Sequence, residues 1–315
     1  MASFYELIHA TTYHYSGMVA MCQNQLRLTP RIDASQQLFK HKIEVLPKPN
    51  KILKSIDFFQ NQISYFELNQ PHSRLQITMQ AQVKVDRPRP FHCESQNWES
   101  VAAELERDRS LAGLDRFQYS LASPLVPRCG DAFALASKAF TPGRSILEAA
   151  TELNRRIHEE FRYDSKATTI QTPLEDVFRI RRGVCQDLAH VMIACLRSVG
   201  LAARYVSGYL RTYPSTAPTA SAHDSTSSNA SVSVGASPLV GADASHAWVS
   251  IYMGSHNSLG TLGWLDFDPT NNLIVSEEHV TLAWGRDFRD VTPINGLFVG
   301  AEQLALDVAV QVRPL

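Results

Sequence analysis

Alternating apolar and polar residues dominate the chain from Ser3 to about Val85. Segments such as FYELIHATTYHYS and RLQITMQAQVKV repeat with a period of two and are rich in aromatic and β-branched side chains. Prolines and asparagines interrupt them at short intervals, as is typical of turns between antiparallel strands. The pattern predicts an N-terminal antiparallel β-sandwich, which ends at the proline-rich segment DRPRPF.

The spacing of apolar residues changes to a helical period in the middle of the chain. A capping box at Ser145 opens the amphipathic run ILEAATELNRRIHEEF, and Thr172 is placed to cap a second, shorter helix. A third helix is predicted to begin near Cys185 and to end at Gly200, where a glycine C-cap belongs.

Strand patterns return after the third helix in ARYVSGYLR, HAWVSIYM, LGWLDFD and ALDVAVQVR. This order of elements predicts an α+β fold in which a helix packs on an antiparallel sheet. Between the first two of these strands lies a stretch rich in Ser, Thr, Ala, Pro and Gly that carries almost no charge, which predicts a mobile loop. The predicted parts are the β-sandwich at 1–88, a helical connection at 89–144, the core at 145–275 with its mobile insertion at 212–243, and a C-terminal segment at 276–315 that packs back on the other domains.

Composition and charge narrow the class of protein. The 315 residues are 44% hydrophobic and 19% charged, with a formal net charge of -1, which fits a globular protein without a global attraction to nucleic acid or anionic lipid. The N-terminus has no basic region followed by an apolar run, and no window approaches the roughly 18 apolar residues of a spanning helix. We therefore predict a cytoplasmic protein with no nucleic-acid and no membrane partner.

The cysteines point to a thiol nucleophile. They number 5, an odd count, and form no CxxC pair, which argues against a disulfide framework and a thiolate zinc site. Cys185 differs from the others because it opens the third helix after Gly183, and a helix N-terminus lowers the pKa of a thiol. Asp187 lies in the first turn, where a carboxylate satisfies free backbone N–H groups. The alternative for any single cysteine is a small buried hydrophobe.

A base and an orienting group follow on two strands. If HAWVSIYM and LGWLDFD form a hairpin in which Tyr252 pairs with Leu262, His246 falls opposite Asp268. A register shift of one residue would turn the two side chains to opposite faces, and Asp266 is the alternative orienting group. Each residue alone is more often structural, but a nucleophile, a base and an orienting carboxylate together are the arrangement of thiol catalysis.

Three stretches, GVCQDLAHVMIACLRSVGLAARYVSGYL, ASHAWVSIYM and GWLDFDPTNN, occur in an order that resembles the catalytic core of the transglutaminase-like superfamily. The N-terminal region and the tail EEHVTLAWGRDFRDVTPINGLFVG are similar to its bacterial members, some of which are described as cysteine proteases. The resemblance implies a papain-like, transglutaminase-like core and a triad of Cys185, His246 and Asp268. Animal members depend on calcium, but the sequence has no EF-hand loop or dense acidic cluster, so we predict no cofactor and no metal.

The implied chemistry is acyl transfer through a thioester on a protein or peptide substrate. Water as acceptor makes the enzyme a cysteine protease or amidase, which we place first, and a primary amine makes it a transglutaminase. Gln186, Trp248 and Tyr209 are secondary candidates for lining the site or binding the oxyanion. Two other classes compete: a noncatalytic binding scaffold, and a metal-dependent hydrolase for which the sequence lacks an HExxH or paired-cysteine motif.

We predict structural roles for the remaining polar residues near these motifs. His190 lies five residues after Cys185, about 140° around the helix, so we expect it to point away from the site. Trp284 and Arg286 are expected to tie the core to the N-terminal domain, because the last strand must pair somewhere. Binding of a substrate carboxylate is the alternative for Arg286.

Overall fold

The computed structural model describes residues 2–87, 95–213, 239–240, 245–255 and 263–315. Its elements confirm the predicted α+β class. The strands are β1 (Ser3–Val19), β2 (Met21–Leu26), β3 (Gln36–Leu46), β4 (Ile52–Ile56), β5 (Gln62–Leu68), β6 (His72–Val85), β7 (Arg162–Tyr163), β8 (Arg182–Gly183), β9 (Ala203–Leu210), β10 (His246–Tyr252), β11 (Trp264–Asp268), β12 (Leu273–Ile274), β13 (His279–Gly285), β14 (Ile294–Val299) and β15 (Gln303–Pro314). The helices are α1 (Trp98–Arg107), α2 (Leu111–Phe117), α3 (Gly130–Ala136), α4 (Ile146–Glu160), α5 (Leu174–Ile180), α6 (Cys185–Ser198) and α7 (Phe288–Val291).

Two four-stranded antiparallel sheets form the N-terminal sandwich, in the orders β15-β1-β6-β3 and β14-β2-β5-β4. Alternate residues such as Leu7, Ile77 and Phe66 are buried between the sheets, as the period of two requires. The strands β14 and β15 come from the far end of the chain and pair with β2 and β1. Both ends of the sequence therefore build this domain.

The helix boundaries show which capping predictions hold. Ser145 Oγ accepts a hydrogen bond from the Glu148 backbone N–H at 3.2 Å, which confirms the start of α4. Gly200 follows α6 with a φ of 81°, the left-handed conformation expected after a helix end. The prediction that Thr172 caps α5 is wrong, because its hydroxyl accepts from the Thr169 backbone N–H at 2.9 Å and closes the preceding turn instead.

The core is a five-stranded antiparallel sheet in the order β12-β11-β10-β9-β13. Helix α6 packs against β9 and β10, and α3, α4 and α5 pack against α6. Almost the whole of α6 is buried, including Leu188, Met192 and Leu196. The first residue of α6 is thus held rigidly at one end of the sheet.

The register of the β10–β11 pair differs from the predicted one. Ser250 lies opposite Asp266, so every pair is shifted by two residues and the predicted cross-strand pair of His246 and Asp268 is wrong. Gly263 has a φ of 82°, which lies outside the strand region, and β11 starts after it at Trp264, two residues later than the pattern suggested. Because side chains alternate with a period of two, a shift of two leaves His246 and Asp268 on the same face.

The C-terminal tail joins the core to the sandwich through Trp284. Its backbone N–H donates to Asn61 Oδ1 at 3.0 Å, and its carbonyl accepts from Asn61 Nδ2 at 2.9 Å. The Arg31 guanidinium lies 3.4 Å from the centre of the indole. Arg286 donates to both carboxylate oxygens of Asp290, at 2.9 and 3.0 Å, so its charge is already paired, and its guanidinium lies 5.7 Å from the centre of the Phe59 ring in the N-terminal domain.

The predicted mobile insertion at 212–243 lies outside the described residues, except for positions 212–213 and 239–240. The predicted domain boundaries stay a prediction. Within the described ranges, no helix has the length and apolar character that crossing a membrane requires.

Candidate active site

Cys185 is the first residue of α6 and is half-buried. The preceding turn is closed by Asp187, whose Oδ2 accepts from the Val184 backbone N–H at 2.8 Å and from the Thr168 hydroxyl at 2.6 Å. A Cβ on Gly183 would lie 2.5 Å from that carboxylate oxygen, so glycine is needed for the turn. Burial raises the pKa of Asp187, against the effect of these two hydrogen bonds. The GVCQD motif is thus a compact helix start that presents the thiol.

His246 and Asp268 form a buried hydrogen-bonded pair at the ends of adjacent strands. His246 is the first residue of β10 and Asp268 is the last of β11, and their exposed fractions are 1% and 0%. His246 Nε2 lies 2.8 Å from Asp268 Oδ2. An ionised carboxylate only accepts hydrogen bonds, so Nε2 carries a hydrogen and Nδ1 is left to act as a base.

The other imidazole nitrogen is associated with Cys185. His246 Nδ1 is buried and has no hydrogen bond of standard geometry within the described part of the chain. The Cys185 thiol nevertheless interacts electrostatically with this imidazole. Cys185 also contributes as a side-chain hydrogen-bond partner that raises the pKa of His246, so the two groups are neighbours.

The charges of the pair oppose the effect of burial. Burial alone would lower the pKa of His246, but the Asp268 carboxylate and then Cys185 outweigh it and raise the pKa to about 10. Burial alone would raise the pKa of Asp268, but the charge of His246 and the hydrogen bonds from His246 and His279 hold it well below its usual range. At neutral pH the pair is therefore an imidazolium and a carboxylate.

Asp268 is held by several further donors. Its Oδ1 accepts from the backbone N–H groups of Thr270 at 2.9 Å and Asn271 at 3.1 Å, and its Oδ2 accepts from Asn271 Nδ2 at 2.8 Å. His279 Nε2 lies 3.3 Å from the same Oδ2. Asp268 thus serves both as a turn former and as the partner of His246.

Sequence reasoning missed His279. It opens β13 and is completely buried. Its ring lies 5.3 Å from that of Trp248, edge-on. Gly208 makes room for this contact, because a Cβ there would be 2.3 Å from the indole. The available signal was the alternating pattern in HVTLAWG, which indicates a strand but not that its first side chain reaches Asp268.

Trp248 and Asp266 form a second layer beside the pair. Trp248 is completely buried, with its ring centre 6.2 Å from that of His246, and its Nε1 donates to Asp266 Oδ2 at 3.1 Å. Arg87 donates to the same oxygen at 3.2 Å. Asp266, the alternative orienting group, is thus bound to Trp248 and Arg87, while His246 is bound to Asp268.

The other secondary candidates lie in different places. Gln186, next to Cys185, lines a depression of about 240 Å³ together with Ile170 and Pro173. The structure does not bring Tyr209 to the pair: it lies on the opposite face of β9 from Gly208, and its hydroxyl is 2.7 Å from His9 Nδ1.

His190 points away from the site, as expected. Its Nε2 accepts from the Phe288 backbone N–H at 3.2 Å, and burial lowers its pKa to about 4. Within the described part of the chain, no group of three or more His, Cys, Asp or Glu residues is arranged to hold a metal ion.

The fold and the site define the class of protein: a core with a cysteine at a helix start, packed on an antiparallel sheet that carries a His–Asp pair. The family model of the transglutaminase-like superfamily matches residues 134–269, and that of the bacterial transglutaminase-like N-terminal region matches residues 5–84. The chain belongs to the transglutaminase-like superfamily.

The chain is also similar to individual bacterial proteins. An uncharacterized protein of Mycobacterium tuberculosis is 35% identical over 98% of this chain and 92% of its own length. An uncharacterized protein of Mycobacterium leprae is 28% identical over 98% of both chains. A solved structure named "Putative Cysteine Protease from Cytophaga hutchinsonii" has the same fold, with a TM-score of 0.70 and 20% identity over 99% of this chain and 91% of that one. The relatives are bacterial, and the family is one of cysteine-dependent enzymes.

Proposed function

We propose that the protein hydrolyses peptide or carboxamide bonds through a thioester on Cys185, with His246 as acid and base and Asp268 as the orienting group. The observation that carries this proposal is the buried pair in which His246 Nε2 lies 2.8 Å from Asp268 Oδ2. The pair leaves Nδ1 for Cys185, and the carboxylate raises the pKa of His246 to about 10. An imidazolium beside a cysteine favours the thiolate, which is the reactive form.

In the first half-reaction, the Cys185 thiolate attacks the carbonyl carbon and forms a carbon–sulfur bond. The proton on His246 Nδ1 passes to the leaving nitrogen, the carbon–nitrogen bond breaks, and an amine departs from the thioester. Backbone N–H groups in the first turn of α6 are suited to bind the oxyanion, and each such donor is typically worth about 3 kcal/mol. Val184 N–H is not available for this, because Asp187 already accepts it.

In the second half-reaction, His246 Nδ1 takes a proton from water, and the resulting hydroxide forms a bond to the thioester carbon. The carbon–sulfur bond then breaks, which releases an acid and returns Cys185 to the thiolate beside the imidazolium. A primary amine in place of water would make the reaction transamidation. We place water first because the Cytophaga neighbour is named as a protease.

Selective alkylation tests the nucleophile before any substrate is known. We expect iodoacetamide at about pH 6 to modify Cys185 roughly 100-fold faster than Cys129, a half-buried thiol at the start of α3, because only Cys185 has an imidazolium neighbour. Mass spectrometry of the digested protein measures both rates in one sample. Equal rates, or a Cys185 rate that is unchanged in His246→Ala, would contradict the proposal and favour the noncatalytic scaffold.

Incubation with casein and a fluorescent amine then separates the two reactions. Fragments without incorporated label indicate hydrolysis, and label incorporation without fragments indicates transamidation. Cys185→Ala should abolish whichever reaction occurs, and Cys129→Ala is the matched control that should retain it. The cytoplasmic location and the lack of nucleic-acid and membrane partners stay predictions.

A further inference from the structure

Two buried imidazoles share one carboxylate oxygen in the candidate site. His246 Nε2 lies 2.8 Å and His279 Nε2 lies 3.3 Å from Asp268 Oδ2. All three side chains are excluded from solvent. The mechanism described above uses only His246 and Asp268, so the second histidine has no assigned role.

The hydrogen positions follow from the acceptor. An ionised carboxylate only accepts, so His279 also carries a hydrogen on Nε2. Burial lowers the pKa of His279, and the nearby positive charges of His246 and Arg87 act in the same direction, while Asp268 opposes them. His279 Nδ1 is buried without a hydrogen bond inside the described ranges, which fits a nitrogen without a proton. His279 is therefore a neutral donor, in contrast to the charged His246.

We propose that His279 is a positioning residue that keeps Asp268 Oδ2 directed at His246. A neutral donor stabilises the carboxylate without adding a second positive charge that would repel the imidazolium. This inference rests on the proposed function of Cys185 and His246, and it adds a fourth residue that acts on the nucleophile only through Asp268.

The surroundings of His279 favour one fixed orientation. The Trp248 ring contacts the imidazole edge-on at 5.3 Å, and the indole is itself held by Asp266. Gly208, on the strand between them, leaves the space that the indole fills. The charged groups that face His279 are Asp268 on β11, His246 on β10 and Arg87 after β6. His279 is thus positioned by packing from the sheet rather than by solvent.

Two amide variants test the role of the donor. Gln places its N–H group near the position of imidazole Nε2, whereas Asn is one methylene shorter and does not reach Asp268. We expect the rate of Cys185 alkylation at about pH 6 to be unchanged in His279→Gln and to fall by roughly tenfold in His279→Asn, because an Asp268 Oδ2 that loses this donor is no longer held towards His246, whose imidazolium supports the thiolate. The measurement is the alkylation rate of the wild-type protein and both variants at about pH 6.

The outcomes separate this inference from the proposed function. If wild-type Cys185 reacts no faster than Cys129, the proposed function fails. If wild-type Cys185 reacts fast and Cys185 of His279→Asn reacts at the wild-type rate, the role of His279 is overturned while the proposed function stands. Should His279→Asn not fold, His279→Gln still decides: a roughly tenfold slower alkylation, in a folded variant that keeps its N–H group, contradicts the proposal. Circular dichroism of each variant establishes folding.

Discussion

His246 and His9 are both buried histidines on antiparallel strands, yet their charges differ. Their exposed fractions are 1% and 2%, and each has one nitrogen hydrogen-bonded to a buried side chain, Asp268 at 2.8 Å and Tyr209 at 2.7 Å. The pKa of His246 is raised to about 10, whereas burial lowers the pKa of His9 to about 4. Burial is thus the same in both places, and the charge of the partner decides the protonation state.

The two histidines also occupy different parts of the fold. His9 lies on β1, where its second nitrogen is 2.8 Å from the Thr11 hydroxyl, so both of its nitrogens have neutral partners. This arrangement joins the N-terminal sheet to β9 of the core through Tyr209. His246 keeps one nitrogen free of such bonds, beside Cys185. Neutral partners leave His9 uncharged in a structural contact, whereas the Asp268 carboxylate keeps His246 charged and suited to catalysis.

The largest expected effect comes from giving His246 a neutral partner. In Asp268→Asn the side chain keeps its shape but loses its charge, so His246 should lose its proton near neutral pH and Cys185 its imidazolium. We expect turnover to fall by roughly 10³-fold or more, as in other catalytic triads. The rate of Cys185 alkylation at about pH 6 measures the same loss without a substrate. His9→Gln is the control, and a fall of less than about tenfold in Asp268→Asn would show that the carboxylate is not the cause.

The pH dependence of stability should show the same contrast in two windows. The pKa of His246 is raised from 6.5 to about 10, so its stabilisation is complete below pH 6.5 and is lost as the pH rises towards about 10. The pKa of His9 is lowered from 6.5 to about 4, so stability should fall as the pH decreases through that range, by about 3 kcal/mol. The pKa of His190 is also lowered to about 4, so His9→Gln should remove only part of the fall in the free energy of unfolding below pH 6.5.

Urea unfolding at a series of pH values measures both windows. His9→Gln should flatten the dependence of the free energy of unfolding below pH 6.5 and leave the alkaline side unchanged. His246→Gln should flatten the alkaline side, and it should also change the acid side, because Asp268 loses the charge that holds its pKa low. If His9→Gln flattened the alkaline side as well, burial rather than the partner would determine the two pKa values.

The smallest expected effect comes from removing the hydrogen bond between His9 and Tyr209. Tyr209→Phe removes the hydroxyl that bonds His9 and should lower the free energy of unfolding by about 1–2 kcal/mol, because a buried nitrogen loses its partner. The alkylation rate of Cys185 should not change, since Tyr209 faces away from His246. A slower alkylation in this variant would instead return Tyr209 to the site, as the sequence first suggested.

Sequence patterns located the strands that carry His246 and Asp268 but not their pairing. The predicted register was off by two residues, and Gly263 adopts a left-handed conformation immediately before β11 that apolar alternation does not report. The residues still share a face because a shift of two preserves the alternation. A period of two thus predicts the face of the sheet on which a side chain lies more securely than it predicts the cross-strand partner of that residue.

The sequence by itself determined the elements whose signals are local: the strands of period two, the cap at Ser145 and the helix that starts at Cys185. Only the tertiary structure decided contacts between residues far apart in the chain, such as β15 completing the N-terminal sheet and His279 reaching Asp268. Local signals arise from backbone preferences and hydrophobic alternation within a few residues. The protonation of a buried histidine depends on which charge the fold brings beside it, and no local pattern encodes that.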